Sequence, residues 1–214
     1  MTRAVLFDLD GTLLDTLPDI HFVLNETLKR FSYPQLTVKQ TLAYIGEGAF
    51  RLVERALPPH ADNIQAFFEE FKNVYAACEN RNTRVFDGID GLLVRLKAQG
   101  VKIGIVTNKP QEATEACVKR FFPDVFEFVG GDSGNFPCKP DPSLAQYAAL
   151  SLRVPFEECV FVGDGETDAQ TAINAGMKGV SVLWGYRTRE QLEQAGATRF
   201  ASTVNELENF LKNA

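Results

Sequence analysis

The sequence predicts an α/β fold: a doubly wound parallel sheet with helices on both faces, interrupted by an all-helical insertion. Three observations lead to this prediction. A short apolar run lies near the amino terminus, and a long stretch with helical spacing of apolar residues follows it. From about residue 85 onward, helical and strand-like patterns alternate regularly, which is typical of parallel strands joined by crossover helices.

The first strand is predicted in residues 3–9, "RAVLFDL", which end at the turn-forming sequence Asp10-Gly11-Thr12. Residues 17–80 are then predicted to be helical, because apolar side chains recur there on one stripe and prolines separate the segments. The insertion lies between the first strand and the remaining strands. We therefore expect a helical cap domain in residues 17–84 and an α/β core, carrying the site, in residues 1–16 and 85–214.

The remaining elements of the core alternate along the chain. The predicted strands are "VKIGIVT", "VFEFVGG", "CVFVGD" and "GVSVLWG". The predicted helices are "GLLVRLKAQ", "QEATEACVKRFF", "SLAQYAALSL", "DAQTAINAG" and the tail "NELENFLKN". Each strand is thus followed by a helix long enough to return the chain to the same edge of the sheet.

Composition and charge exclude several classes of function. The chain has 214 residues and a formal net charge of −6, without a long basic run, so we expect neither nucleic-acid nor membrane partners. The four cysteines are widely spaced and the chain has only two histidines, which argues against a zinc site. Scattered cysteines indicate reduced thiols and a cytoplasmic location. The oligomeric state is not predicted.

Polar residues gather where the predicted strands end. Ligands of open parallel sheets bind beyond the carboxyl ends of the strands, so we expect these residues to share one cleft. In chain order they are Asp8, Asp10, Thr107, Asn108, Lys139, Asp164 and Asp168. Any one of them alone has an ordinary structural explanation, such as a turn, a helix cap or a solvated charge. Their occurrence together, each at a strand end or an adjoining loop, favours a functional site.

Four carboxylates in one cleft repel one another unless a cation lies between them. Oxygen ligands select a hard cation, and Mg²⁺ is the ion that suits a few carboxylates and bound water. A magnesium ion and Lys139 together supply the positive charge that a phosphoryl group requires. One aspartate of the Asp8–Asp10 pair can then act as nucleophile, and the other as general acid and base.

These segments resemble the signature motifs of the haloacid dehalogenase superfamily of phosphohydrolases. The matching segments are "DLDGT", "VTN", "KPDP" and "GDGETD". The resemblance implies a Rossmann-like core, Asp8 as nucleophile, Asp10 as acid and base, and phosphate held by Thr107 and Lys139. It also implies magnesium bound by Asp8, the backbone carbonyl of Asp10 and Asp164, with Asp168 supporting the site. Asn108 is expected to contact substrate.

The insertion resembles the cap of phosphoglycolate phosphatases at "YIGEGAFRLVERAL". The resemblance implies a small phosphorylated metabolite as substrate. Gly46 would let the loop approach the cleft, and Glu47 and Arg51 are candidates for substrate selection. The segments "VFDGI" and "GDGETD" depart from that group at Asp87 and within the last motif. A β-phosphoglucomutase-like phosphotransferase and a non-catalytic protein that binds phosphate ligands remain alternatives.

Overall fold

The computed structural model of this chain describes residues 2–59 and 61–213. Met1, His60 and Ala214, which belong to the predicted core or to the predicted helical segment, lie outside the described residues. In chain order the elements are β1 (Ala4–Phe7), β2 (Leu14–Asp15), α1 (Leu17–Arg30), α2 (Val38–Tyr44), α3 (Ala49–Ala56), α4 (Ile64–Cys78), β3 (Arg84–Val85), α5 (Ile89–Ala98), β4 (Lys102–Pro110), α6 (Gln111–Phe121), β5 (Phe128–Asp132), α7 (Ser143–Leu152), β6 (Cys159–Gly163), α8 (Glu166–Asn174), β7 (Lys178–Val182), α9 (Arg189–Gln194), β8 (Phe200–Ala201) and α10 (Val204–Asn213).

Six of these strands form one parallel sheet, in the order β5-β4-β1-β6-β7-β8. Strand β1 lies in the interior of the sheet, where Phe7 pairs with Ile105 of β4 and with Val162 of β6. The chain leaves β1 toward one side of the sheet and later returns on the other side. Such a reversal of strand order opens a crevice at the carboxyl ends of the central strands.

Helices cover both faces of the sheet. Successive side chains of a strand point to opposite faces, so each strand contributes apolar side chains to both layers. Val5 and Phe7 of β1 belong to an apolar cluster with α5 and α10, whereas Ala4 and Leu6 belong to a second cluster with α7 and α8. Fully buried strands of this kind read as continuous apolar runs. The predicted doubly wound α/β fold is confirmed.

The four helices between β2 and β3 bury apolar side chains against one another in a third cluster. It includes Leu24 and Leu28 of α1 and Phe67 and Phe71 of α4. Helix α2 begins at a capping box, in which Thr37 and Gln40 satisfy each other's backbone N–H groups. The helical character predicted for this segment is confirmed.

Several predicted boundaries were wrong. Strand β4 continues to Pro110, three residues beyond the predicted end, and the short edge strand β8 was not predicted. Strands β2 and β3, of two residues each, pair antiparallel where the chain enters and leaves the insertion. Strands this short carry too little alternation to be detected from sequence. No helix within residues 2–59 and 61–213 is long and apolar enough to cross a bilayer.

Candidate functional site

The carboxyl ends of β1 and β6 bring three aspartates together. Asp8 directly follows β1, Asp164 directly follows β6, and Asp168 lies in the first turn of α8. Each of the three offers a carboxylate oxygen, and these oxygens lie within 4.8 Å of one another. Asp164 and Asp168 are almost fully buried. The cluster therefore has the donor set and the spacing of a cation site.

Lys139, from the loop between β5 and α7, adds one positive charge to this cluster. Its Nζ lies 2.6 Å from Asp168 Oδ1 and 2.8 Å from Asp8 Oδ1, and its side chain is 2% exposed. Burial alone would lower the pKa of Lys139, but the charges of Asp168 and Asp8 outweigh burial and raise it. Lys139 is therefore a fixed ammonium beside the predicted nucleophile.

The electrostatics of the cluster fit a divalent cation. With all three carboxyls ionised, three carboxylates and one ammonium would leave two negative charges in a buried space. Burial, together with the charges of Asp168 and Asp8, raises the pKa of Asp164 to about 8. Asp8 Oδ1 is buried and lies 2.8 Å from the Lys139 ammonium. The remaining negative charge of the cluster is what a bound Mg²⁺ would offset.

Glycines let the backbone approach Asp164 closely. A Cβ built on Gly11, whose φ is +85°, would lie 2.3 Å from Asp164 Oδ2, and one on Gly185 would lie 2.3 Å from Asp164 Cβ. Asp164 is held in this space because its Oδ1 accepts a hydrogen bond from the Thr12 hydroxyl, and its Oδ2 from the Tyr186 N–H. The "DGT" segment thus positions a carboxylate that lies more than 150 residues later in the chain.

Thr107 and Asn108 lie near the end of β4, both buried and lining the same cleft as Asp8. The side-chain amide of Asn108 forms hydrogen bonds with backbone groups. Its Oδ1 accepts from Lys139 N–H at 2.7 Å, and its Nδ2 lies 3.1 Å from the carbonyl oxygens of Lys139 and Gly46. Asn108 therefore joins the lysine loop to the helical insertion, whereas the sequence suggested contact with substrate.

Asp10 pairs with a second lysine, Lys109, which the sequence analysis did not single out. Lys109 Nζ lies 3.1 Å from both carboxylate oxygens of Asp10 and 2.7 Å from the hydroxyl of Tyr75. Lys109 lies in the irregular end of β4, where the pairing with β5 shifts register between Val106 and Pro110, and Thr107, Asn108 and Lys109 all line the cleft. No regular alternation in the sequence therefore identifies Lys109.

A cleft of about 870 Å³ separates the sheet edge from the helical insertion. Asp8, Asp10, Thr107 and Asn108 lie on its core side. On its other side lie residues of the insertion, which include Ile45, Gly46, Gly48, Leu52, Phe71 and Tyr75. Gly46, which the sequence suggested as a loop residue near the cleft, lies among these lining residues. Most of the insertion's contribution is apolar.

Glu47 and Arg51 are not among the described residues that line the cleft. Arg51 forms an exposed ion pair with Glu54, and Glu47 pairs with Arg55 at 2.6 Å. Helix α3 turns its apolar face, which includes Leu52, inward, and this phase leaves Arg51 on the solvent side. The structure thus does not bring the two expected specificity residues to the other site residues.

Tyr186 and Arg187, which follow β7, tie the core to the insertion and were also missed. The Tyr186 hydroxyl accepts hydrogen bonds from the N–H groups of Thr16 and Leu17 at 2.8 and 2.9 Å. Arg187 donates to the carbonyl oxygens of Leu42 and Ile45. These contacts depend on tertiary structure, and no local pattern in "LWGYRT" announces them.

The comparisons with known proteins agree with this geometry. The family model described as "Haloacid dehalogenase-like hydrolase" matches residues 5–182. A phosphoglycolate phosphatase of Xanthomonas campestris is 36% identical over 189 residues, which are 86% of this chain and 85% of the relative. One of Colwellia psychrerythraea is 32% identical over 214 residues, covering 96% and 95%. A crystal structure from Lactobacillus delbrueckii subsp. bulgaricus superposes with a TM-score of 0.92 at 31% identity, covering 99% of each chain.

Proposed function

This chain belongs to the haloacid dehalogenase-like hydrolase family and is a phosphatase, and on that premise we propose how it acts. We propose that it hydrolyses a small phosphomonoester through an aspartyl-phosphate on Asp8, with Mg²⁺ as cofactor. The observation that carries the proposal is the position of Asp8 at the cleft, beside the Lys139 ammonium and in one cluster with Asp164 and Asp168. One oxygen of such a carboxylate can attack phosphorus while the other contributes to a metal site.

The proposed roles follow the geometry of the site. Asp8 attacks the phosphorus atom, and the leaving oxygen takes a proton from Asp10. Asp10 then accepts a proton from the water that attacks the aspartyl-phosphate, which frees inorganic phosphate and restores Asp8. Lys139 and Thr107 hold the phosphoryl oxygens throughout, since Lys139 Nζ lies 2.8 Å from Asp8 Oδ1 and Thr107 lines the same cleft as Asp8.

The metal is proposed to be held by Asp8, Asp164 and the backbone carbonyl of Asp10, with Asp168 in support. When bound, Mg²⁺ supplies positive charge to the phosphoryl oxygens and offsets the repulsion between them and the aspartates. Support for this assignment comes from the three-carboxylate cluster and its excess of two negative charges.

We propose 2-phosphoglycolate as the substrate, because the relatives named above are phosphoglycolate phosphatases. We further propose that residues 17–84 act as a cap that closes over the cleft, while residues 1–16 and 85–214 carry the chemistry. The helices of residues 17–84 line the cleft opposite Asp8, which supports this division. A cytoplasmic location is proposed as well, since Cys78, Cys117, Cys138 and Cys159 are free thiols.

The test is a panel of phosphomonoesters assayed for phosphate release with Mg²⁺ present. We expect turnover of 2-phosphoglycolate, its loss on exhaustive chelation, and recovery when Mg²⁺ is restored. Calcium should inhibit, because its larger and looser coordination shell misaligns an in-line attack. Full activity after chelation would contradict the metal proposal.

The same panel separates the two alternatives. Interconversion of sugar phosphates without net phosphate release would identify a phosphotransferase. Binding of Mg²⁺ and phosphate esters, with no phosphate released from any of them, would identify a binding protein.

A further inference from the structure

We propose that Lys109 and Tyr75 are positioning residues for proton transfer: they fix the carboxyl of Asp10 and tie it to helix α4 of the insertion. The inference rests on the proposed role of Asp10 as acid and base. Its basis is a continuous set of contacts, in which Lys109 Nζ reaches both oxygens of Asp10 at 3.1 Å and the Tyr75 hydroxyl at 2.7 Å.

The Lys109 ammonium bridges Asp10 and Tyr75. Its Nζ lies 3.1 Å from both Asp10 oxygens, so one N–H is shared between those two oxygens, and a second N–H points to the Tyr75 hydroxyl. The Tyr75 hydroxyl is therefore left free to donate to Asn80 Oδ1, 3.2 Å away. Because Tyr75 holds the ammonium on one side, its symmetric contact with both Asp10 oxygens favours one orientation of that carboxylate.

Burial makes these contacts costly to break. The Lys109 side chain is 4% exposed, and its Nζ also lies 4.7 Å from the centre of the Tyr75 ring. An ammonium removed from water needs partners of opposite charge or strong dipoles, which here are Asp10 and Tyr75. The two partners come from opposite sides of the cleft, one from the core and one from α4.

The position of Lys109 separates its role from that of Lys139. Lys139 contacts Asp8 and Asp168, whereas Lys109 contacts Asp10. Lys139 thus lies beside the atom that attacks phosphorus, and Lys109 beside the group that protonates the leaving oxygen. Loss of Lys109 should therefore lower kcat/KM most for substrates whose leaving group needs a proton.

The experiment compares Lys109→Met and Tyr75→Phe with the unaltered enzyme on phosphate esters of graded leaving-group pKa. General acid catalysis contributes roughly 10²–10⁴-fold, so misplacing Asp10 should lower kcat/KM for alkyl phosphates by about 10- to 100-fold. For p-nitrophenyl phosphate, whose leaving group needs no proton, the loss should stay below about 3-fold. Tyr75→Phe keeps the ring. It should also lower kcat/KM more for alkyl phosphates than for p-nitrophenyl phosphate, but by a smaller factor than Lys109→Met.

Two further variants make the result decisive. Lys39→Met, at an exposed lysine of α2, should leave every substrate unchanged. Asp10→Asn should show the strongest selectivity against alkyl phosphates. Asp10→Asn could lower kcat/KM mainly for alkyl phosphates while Lys109→Met and Tyr75→Phe lower it equally for all substrates. That result would overturn the positioning role and leave the proposed function standing. If Asp10→Asn itself shows no selectivity, the acid–base assignment fails first. Should Lys109→Met fail to fold, Tyr75→Phe alone decides.

Discussion

The two walls of the cleft are built in different ways. At the sheet edge, side chains and backbone leave no spare room: a Cβ on Gly163 would lie 2.3 Å from the Asp168 carboxyl. On the insertion side, the cleft is lined largely by apolar side chains such as Leu52 and Phe71. Reacting groups must be held within fractions of an ångström, whereas an apolar wall can change its shape with little effect on them. Under the proposed division of roles, the sheet-edge wall carries the chemistry and the insertion wall fits the shape of the substrate.

The contacts across the cleft reinforce this difference, because the core holds the insertion mainly by its backbone. Arg187 donates to two carbonyl oxygens of the insertion, Tyr186 accepts from two N–H groups at its start, and Asn108 donates to the carbonyl of Gly46. Backbone groups are the same whatever side chains they carry. Cap side chains can therefore vary while the anchoring contacts persist. The Lys109–Tyr75 contact is an exception, since it joins two side chains.

The largest expected effect is at the sheet-edge wall of the cleft. Asp8→Asn should lower kcat by roughly 10³-fold or more, because removal of a nucleophile disables the first covalent step. The amide nearly matches the carboxylate in shape, so thermal unfolding should change little. Phosphate release and a thermal melt measure the two quantities. Retention of a tenth of the activity would refute Asp8 as the nucleophile.

The second prediction tests the tight packing around Asp164. Gly11→Ala and Gly100→Ala both place a side chain at positive φ, which costs about 1–2 kcal/mol. A Cβ on Gly100 meets nothing within 4 Å, whereas one on Gly11 collides with the Asp164 carboxylate. Gly11→Ala should therefore lose a further ~1–3 kcal/mol of unfolding free energy, together with most of the Mg²⁺ affinity.

Urea unfolding and Mg²⁺ titration of both variants provide the measurement. Equal losses of stability and equal Mg²⁺ affinities in the two variants would show that the space beside Asp164 is not restrictive.

The third prediction concerns Asp19, a buried carboxylate at the start of α1 that binds the far end of the insertion. Its oxygens accept hydrogen bonds from Asn82 N–H and Nδ2, from the Thr83 N–H and hydroxyl, and from the Cys78 thiol. Burial raises the pKa of Asp19, but the bonds from Thr83, Asn82 and Cys78 outweigh it and lower the pKa. Asp19→Asn should cost about 2–3 kcal/mol at pH 7, since the new amide faces groups that are themselves donors.

The stability that Asp19 contributes should depend on pH. A lowered carboxyl pKa contributes stability that is complete above the unfolded value of about 4 and is lost as the pH falls through the folded value. The gap in unfolding free energy between Asp19→Asn and the unaltered chain should therefore close below about pH 4. A gap that is constant from pH 7 to pH 3 would contradict the role of the charged form.

The smallest effect is expected at Arg51 and Glu47. Exposed ion pairs are worth about 0–1 kcal/mol, and neither residue lines the cleft. Arg51→Ala and Glu47→Gln should change kcat/KM by less than about 3-fold for every substrate in the panel. A changed order of substrates would restore the specificity role that the sequence suggested.

The sequence predicted best what local patterns determine. The alternation of strands and helices predicted Asp8 and Asp164 at strand ends and Asp168 at a helix start, where the structure has them, whereas Thr107 lies within β4. It did not reveal the partner of Asp10, because Lys109 lies 99 positions away along the chain. Nor did it fix the phase of α3, which decides that Leu52 rather than Arg51 faces inward. Contacts between distant segments depend on packing, which a single sequence does not display.

The short ladder between β2 and β3 has a consequence for how such proteins diversify. Leu14 pairs with Val85, and Asp15 with Arg84, so the chain leaves and rejoins the core at adjacent points. The pairing of the strands in the sheet therefore does not depend on the length of the insertion between β2 and β3. A two-residue hairpin turn could close the same gap, and a longer module would cost only about 0.6 kcal/mol in closure entropy for each doubling of its length. Whole modules can thus be exchanged at this point while the catalytic wall is inherited intact.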